Sequence, residues 1–266
     1  MPIQIRAAGL TDVGRKRKMN EDSFTTADDL GLYVVADGMG GHAAGEVASR
    51  LAVESIVRHM SNADAGNVTA PSDATTRSLD ESRPLPARRV LSAIRLANQE
   101  IVRSVREDQS TRGMGTTVVM AYIQGRRAYI GSVGDSRAYL VRGGRIVQLT
   151  DDHTFVNEQV RAGTLTLSEA RRHPARNILT RAVGSQDEVD ADLIEQDLEA
   201  GDVLLLCSDG LTTMVEDSDI LDVVRRQGGD PDRVCRALVN LANERGGDDN
   251  ITAILIQARR PAPRTA

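Results

Sequence analysis

Four apolar runs crowd together between Thr116 and Leu149: Thr116 to Ile123, Ala128 to Val133, Ser136 to Val141 and Arg145 to Leu149. Their joints are Gln124-Gly125, Gly134-Asp135 and Arg142-Gly143-Gly144. Short glycine-centred joints between strand-length runs predict antiparallel hairpins. A parallel doubly wound sheet is disfavoured, because each of its crossovers takes a dozen or more residues. Further strands are expected at Ile3 to Ala8, Val189 to Glu195, Val203 to Cys207 and Ile251 to Ile256.

Two helices precede this block. Val47, Ala48, Leu51, Ala52 and Ile56 recur at helical spacing, and Glu46, Arg50 and Glu54 line another side at four-residue steps. Val90, Ile94, Ala97, Ile101 and Val105 form a second stripe, so the two helices are expected to pack side by side. Between them the polar stretch from Ser61 to Arg83 reads as a mobile loop, about 61–85, and not as a domain boundary. Residues 151–188 are polar, with helical patches at Phe155 to Arg161 and Leu167 to Arg171. Arg161, Arg171, Arg172, Arg176 and Arg181 make this segment either a solvated subdomain or a flap over an anionic substrate. Asp217 or Ser218 is expected to cap a helix through Ile220, Leu221 and Val224. Asp230-Pro231 starts another, stopped by Gly246-Gly247. A single domain over residues 1–258 and a disordered tail over 259–266 follow.

Composition narrows the function. With 266 residues, four Tyr, two Phe and no Trp, the core must be built from Val, Ile, Leu and Ala. Base stacking is a poor prospect, and a net charge of -5 argues against nucleic acid as a partner. Cys207 and Cys235 suggest neither a disulfide framework nor a metal site, and Cys207 reads as a buried thiol. Met1 to Thr11 lacks the apolar core of a signal peptide, and no run is long enough to cross a bilayer. A cytoplasmic monomer without membrane contact is the expectation.

The chemistry lies in the acids. Val34 to Glu46 reads as buried strand, tight turn and a helix from near His42, with Asp37, Gly38, Gly40 and Gly41 at the turn. A carboxylate beside glycine can hold a hard cation, making Asp37 and the Gly38 carbonyl neighbouring oxygen ligands. A dinucleotide-binding turn is the rival, but Gly38, Gly40 and Gly45 miss its spacing and Asp37 would face the pyrophosphate. Ser208-Asp209-Gly210 repeats the strand, acid, glycine order, and Glu21-Asp22, Asp135 and Asp249 add acids at strand or turn edges. No His or Cys is among them, which suits magnesium or manganese. Any one of these acids alone is most simply a turn residue or helix cap. Gathered at sheet ends they would repel one another without a compensating cation. The run Arg15-Lys16-Arg17-Lys18 just before them reads as a solvated loop or as a phosphate contact, arginine offering forked donors. Gly134-Asp135-Ser136-Arg137-Ala138 looks like a nucleophile elbow, but its serine lies between two strands instead of leading into a helix, and a serine hydrolase is rejected.

Six motifs occur in order: Arg17-x-x-Asn20-Glu21-Asp22, Val35-Ala36-Asp37-Gly38-Met39-Gly40-Gly41, Gly115-Thr116-Thr117, Gly131-x-x-Gly134-Asp135-Ser136-Arg137, Cys207-Ser208-Asp209-Gly210-Leu211 and Asp249-Asn250. Together they resemble the bacterial protein phosphatase 2C type of metal-dependent serine/threonine phosphatase, the PPM family, along essentially the whole chain. The resemblance implies an α+β, four-layer αββα sandwich, two antiparallel sheets flanked by pairs of helices, with a flap subdomain. It implies two Mn²⁺ or Mg²⁺ ions per chain: Asp37 bridging both, the Gly38 carbonyl on one, Asp209 and Asp249 on the other, and Glu21 and Asp22 acting largely through water. Asp249 takes this role ahead of Asp248 because it directly precedes Asn250. Arg17 would hold the substrate phosphate, and Asp135 would contribute to a weak third metal site. The implied reaction is hydrolysis of phosphoserine and phosphothreonine in proteins, the substrates of a serine/threonine kinase, by in-line attack of a metal-bridging hydroxide.

Two positions depart from the pattern. Met39 stands where many relatives outside bacteria carry a histidine, and Thr213 where bacterial relatives often place an acid for the third metal. Two alternatives stay open at this point: a catalytically silent sensor of phosphoprotein or metal, and a small-molecule phosphomonoesterase.

Overall fold

The computed structural model describes residues 3–40, 44–64 and 82–261. Strands β1 (Gln4–Asp12), β2 (Asp22–Ala27) and β3 (Leu32–Met39) lead into helices α1 (Ala44–Asp64) and α2 (Leu85–Glu107). Then come β4 (Gly115–Thr116), β5 (Val118–Gln124), β6 (Arg127–Val133), β7 (Arg137–Arg142) and β8 (Arg145–Gln148). Short helices α3 (Phe155–Arg161) and α4 (Leu167–Ala170) precede β9 (Asp192–Asp197) and β10 (Val203–Cys207). The chain closes with α5 (Asp209–Thr212), α6 (Asp217–Arg226), α7 (Pro231–Glu244) and β11 (Ile251–Arg259).

Two sheets result, one ordered β1-β11-β10-β7-β8 and the other β2-β3-β5-β6-β9 with β4 paired to β3. Every pairing is antiparallel. The period of two along each strand sorts side chains between layers. On β5, Val118, Met120 and Tyr122 pack under α1 and α2, whereas Val119, Ala121 and Ile123 face the other sheet. On β11, Ile251, Ala253 and Leu255 pack against α6 and α7, whereas Ile254 and Ile256 meet β3, β5 and β6 across the inter-sheet layer. Three apolar layers therefore separate four layers of secondary structure, the αββα sandwich.

Both sheets are apolar on both faces, and this hides the pairing. Gln124-Gly125 and Gly143-Gly144 do join hairpin neighbours, β5 with β6 and β7 with β8. Gly134-Asp135 does not: β6 belongs to one sheet and β7 to the other, so this joint is a crossover between layers and the expected hairpin is wrong. Strand β2, unanticipated, pairs along β3 with Asp22 opposite Asp37. Ser61 to Asp64 extend α1 instead of starting a loop, and Arg259 ends β11 instead of starting a tail. Glu216, not Asp217 or Ser218, stands at the start of α6, with no side-chain cap, because the helix begins one residue earlier than its cap-forming residues suggest. Asp230 does cap α7, its carboxylate accepting from the Arg233 N–H at 3.2 Å. Gly41, His42, residues 65–81 and residues 262–266, on which parts of the loop, helix-start and tail expectations fall, lie outside the described residues. No helix among the described residues is long and apolar enough to cross a membrane.

Candidate metal centre

Asp37 is not at a turn. Strand β3 continues through Met39, and the backbone of Asp37 is held on both sides. Its N–H donates to Thr117 Oγ1 at 3.1 Å, and its carbonyl accepts from Thr117 N and Thr116 Oγ1, each at 2.8 Å. Thr117 Oγ1 in turn shares a 2.7 Å hydrogen bond with Ser136 Oγ, at the crossover between the sheets. Gly38 follows for a steric reason. A Cβ there would lie 2.6 Å from the Glu21 carbonyl oxygen and closer still to that of Gly45 in the first turn of α1. Gly210 is boxed in likewise, by the carbonyl of Asn250. Gly38→Ala should therefore displace Asp37 and lower stability by about 1–3 kcal/mol, the usual range for overpacking; thermal denaturation of the variant measures it.

Asp22 sits opposite Asp37 and is buried, 7% exposed. One of its oxygens, Oδ2, accepts from Ser208 Oγ at 2.8 Å and Thr252 Oγ1 at 2.6 Å, so a residue of one sheet is tied to β11 of the other and to the residue that follows its β10. The other, Oδ1, is buried without any hydrogen-bond partner. Burial, opposed by the two hydroxyls and reinforced by Asp209 and Asp249, lifts its carboxyl to about 7. Asp37 is raised well above the usual carboxylate range by burial and then by Asp22, Asp209, Asp135 and Asp249. Asp135, at the crossover, is raised to about 8 by burial and by Asp209. Asp209, the first residue of α5, is raised by burial and Asp249 and lies within hydrogen-bonding reach of Asp37. At the rim, burial raises Glu21, with Arg17 opposing.

Arg17 and Asp249 complete the cluster. Arg17 Nη2 donates to Asp249 Oδ2 at 2.7 Å, and Asn250 N–H donates to Asp249 Oδ1 at 2.9 Å. Asp248, next to it, is exposed. Asn250 is buried and fixes the Arg17 loop: its Nδ2 donates to the Val13 and Met19 carbonyls at 3.0 and 2.9 Å, and its Oδ1 accepts from Glu21 N at 2.8 Å. The structure thus brings Arg17, Glu21, Asp22, Asp37, Gly38, Asp135, Asp209 and Asp249 to one sheet edge. Motif reading left Ser208, Thr252, Ser136 and the Asn250 side chain without a role. A hydroxyl immediately before Asp209 and another shortly after Asp249 were the available signals.

A divalent cation fits this donor set. Every candidate ligand is oxygen, one buried carboxylate oxygen is orphaned, and the acids outnumber the cations that face them. Among the described residues no three His, Cys, Asp or Glu side chains already stand close enough together to hold a metal ion. One contributor is plain: both oxygens of Asp249 are engaged, by Arg17 and by Asn250.

The polar segment after β8 is less solvated than its composition suggests. His153 is buried; its Nδ1 accepts the Gly134 N–H at 3.0 Å, so Nε2 carries the proton toward Asp192 Oδ2 at 3.2 Å. The Asp135 crossover is thereby anchored. Of the five arginines, Arg161, Arg171 and Arg181 pair with Asp151, Glu216 and Asp192.

Comparison with known proteins agrees with this arrangement. Residues 14–255 match the family model for protein phosphatase 2C. The chain is 40% identical over 250 residues to protein phosphatase PhpP of Streptococcus pneumoniae, covering 93% of this chain and 95% of that one. The crystal structure of the Mycobacterium tuberculosis serine/threonine phosphatase PstP/Ppp superposes with a TM-score of 0.83 at 34% identity, covering 97% of this chain and all of that one. The catalytic domain of PstP in complex with two manganese ions superposes with a TM-score of 0.81 at 33% identity, covering 98% of this chain and all of that one. With a family model spanning the region from the Arg17 loop to β11 and relatives matched along nearly their full length, the chain belongs to the protein phosphatase 2C family.

Proposed function

We propose that this protein is a divalent-metal-dependent protein serine/threonine phosphatase, with residues 1–258 as one phosphatase domain and 151–188 as its flap. The observation that carries the reading is the gathering of Asp22, Asp37, Asp209 and Asp249 beside Arg17, where burial and the neighbouring acids together raise the carboxyl groups of Asp22, Asp37 and Asp209. Asp37, the Gly38 carbonyl, Asp209 and Asp249 would hold two Mn²⁺ or Mg²⁺ ions, with Glu21 and Asp22 acting largely through water and Asp135 contributing to a weaker third site. When bound, such ions activate water as a nucleophile and withdraw charge from the phosphoryl oxygens.

The chain's own groups do the rest. Arg17, now on Asp249, presents a guanidinium to the non-reacting phosphate oxygens and stabilises charge there in the transition state. Asn250 and the Gly247 carbonyl hold the loop that aims it. Among the hydroxyl and thiol groups at this edge none is free to attack phosphorus: Ser208 Oγ commits its proton to Asp22, Ser136 is paired with Thr117, and Cys207 is buried. With the carboxylates held as metal ligands, water is the nucleophile in this reading.

Phosphate release from a phosphothreonine peptide, measured with manganese, magnesium and chelator, tests the reading. Metal-dependent release is expected, and Arg17→Ala should lower kcat/KM by about 10- to 100-fold, the worth of a charge-assisted hydrogen bond. Release confined to small esters would instead mark a small-molecule phosphomonoesterase, and tight phosphopeptide binding without release a silent sensor.

A further inference from the structure

We infer that the loop around Arg17 is a substrate-reading surface, selecting phosphopeptides with acidic residues next to the phosphorylated side chain. The inference rests on the phosphatase reading and adds the substrate class. Arg15, Lys16 and Lys18 flank Arg17, and all three are exposed. Among the described residues none of the three has an ion-pair partner, whereas Arg17 has Asp249. Elsewhere Arg6, Arg127, Arg142 and Arg245 each pair with an acid. Three further cations thus stand beside a cluster of acids in a chain whose net charge is -5, so the positive charge here is local and not part of a general surplus.

The loop is also held in place. The Gly247 carbonyl accepts from Arg15 N at 2.7 Å and Lys16 N at 3.2 Å. Gly14 N donates to Asp12 Oδ1 at 2.8 Å, and Asn250 ties down Val13 and Met19 from the other side. A fixed backbone presents its cations without the ordering cost that a floppy loop would incur on binding. Arg15, Lys16 and Lys18 lie within two residues of Arg17, at most about 7 Å of backbone, which is within the reach of peptide residues adjoining a phosphate held by Arg17. A polynucleotide is the poorer occupant. The cationic loop is short, and a phosphate backbone continuing past it would run onto Glu21 and Asp249, the acids that face Arg17. An acidic phosphopeptide places its charges on the loop alone.

The test uses the full chain with manganese and three phosphothreonine peptides of one backbone, flanked by Glu, Gln or Lys, with p-nitrophenyl phosphate as a substrate lacking flanks. For the wild type at low salt, KM should fall about two- to fivefold for each Glu flank, the range for exposed charge pairs, with kcat unchanged. The preference should vanish at high ionic strength. In the triple variant Arg15→Gln, Lys16→Gln, Lys18→Gln it should vanish at low salt too, with p-nitrophenyl phosphate turnover unchanged. Equal KM values for the Glu and Lys peptides, or a Glu preference that survives in the triple variant, would overturn the inference while leaving the phosphatase reading intact. No turnover of any of the four substrates would overturn that reading and this inference together.

Discussion

Asp37→Asn is expected to lower kcat/KM for a phosphothreonine peptide on the order of 10³-fold or more, and at the same time to raise the melting temperature of the metal-free protein. The two effects share one cause. Burial and four neighbouring acids make a charge at Asp37 unfavourable in the folded chain, so a neutral amide of the same size relieves the metal-free state. That same carboxylate is one of those proposed to hold the metal ions, so its loss would weaken their binding and with it turnover. A merely structural Asp37 predicts the opposite pair: turnover near wild type and a lower melting temperature. Steady-state kinetics and differential scanning calorimetry on one preparation separate the alternatives. Asp209→Asn, across from Asp37, should follow the same pattern.

The second large effect is a reversal of the usual pH dependence. Carboxyl groups whose folded-state pKa lies above the unfolded value contribute stability below the unfolded pKa and lose it as pH rises through the folded one. Asp22 is raised from an ordinary 3.8 to about 7 and Asp135 to about 8. The chelator-treated protein should therefore lose stability steadily between about pH 4 and about pH 8. For buried Asp22 alone, at about 1.36 kcal/mol per pH unit, the loss is on the order of 4 kcal/mol. In a chain of this size that is roughly a 10 °C fall in melting temperature. Manganese should abolish the slope, because a bound cation favours the charged carboxylates and releases their protons. A chelated protein whose melting temperature is flat or rises from pH 5 to pH 8 would show that the acids are not buried together as described.

What was legible in the sequence, and what was not, divides along physical lines. Strand and helix periodicity depends on nearest neighbours in the chain, so β10 at Val203–Cys207 and the stripe Val90, Ile94, Ala97 and Ile101 on α2 stand where the pattern put them. Pairing depends on distant partners. A two-residue glycine joint looks the same whether it turns back within a sheet, as at Gln124-Gly125, or passes to the other, as at Gly134-Asp135, and with both sheet faces apolar the alternation that would distinguish them is lost. Strand β2 was hidden by its composition, Asp22-Ser23-Phe24-Thr25-Thr26-Ala27, which carries one large apolar side chain. At the site, Glu21, Asp37, Asp135, Asp209 and Asp249 were legible because each sits beside glycine or asparagine in the sequence, and Asp22 because it follows Glu21. The roles of Gly38 and Gly210 were not, since the carbonyls that exclude a Cβ there belong to Gly45 and Asn250. Nor were the hydroxyls on Asp22, whose partners Ser208 and Thr252 are 186 and 230 residues away.

Isothermal titration of Mn²⁺ into chelator-treated protein at pH 7, repeated in buffers of different ionisation enthalpy, tests the central claim most directly. The convergence of Asp22, Asp37, Asp135, Asp209 and Asp249 predicts uptake of two ions per chain with release of protons, and loss of that uptake in Asp37→Asn. Heat traces showing no Mn²⁺ or Mg²⁺ uptake by the wild type, or uptake that Asp37→Asn leaves unchanged and that releases no protons, would contradict it.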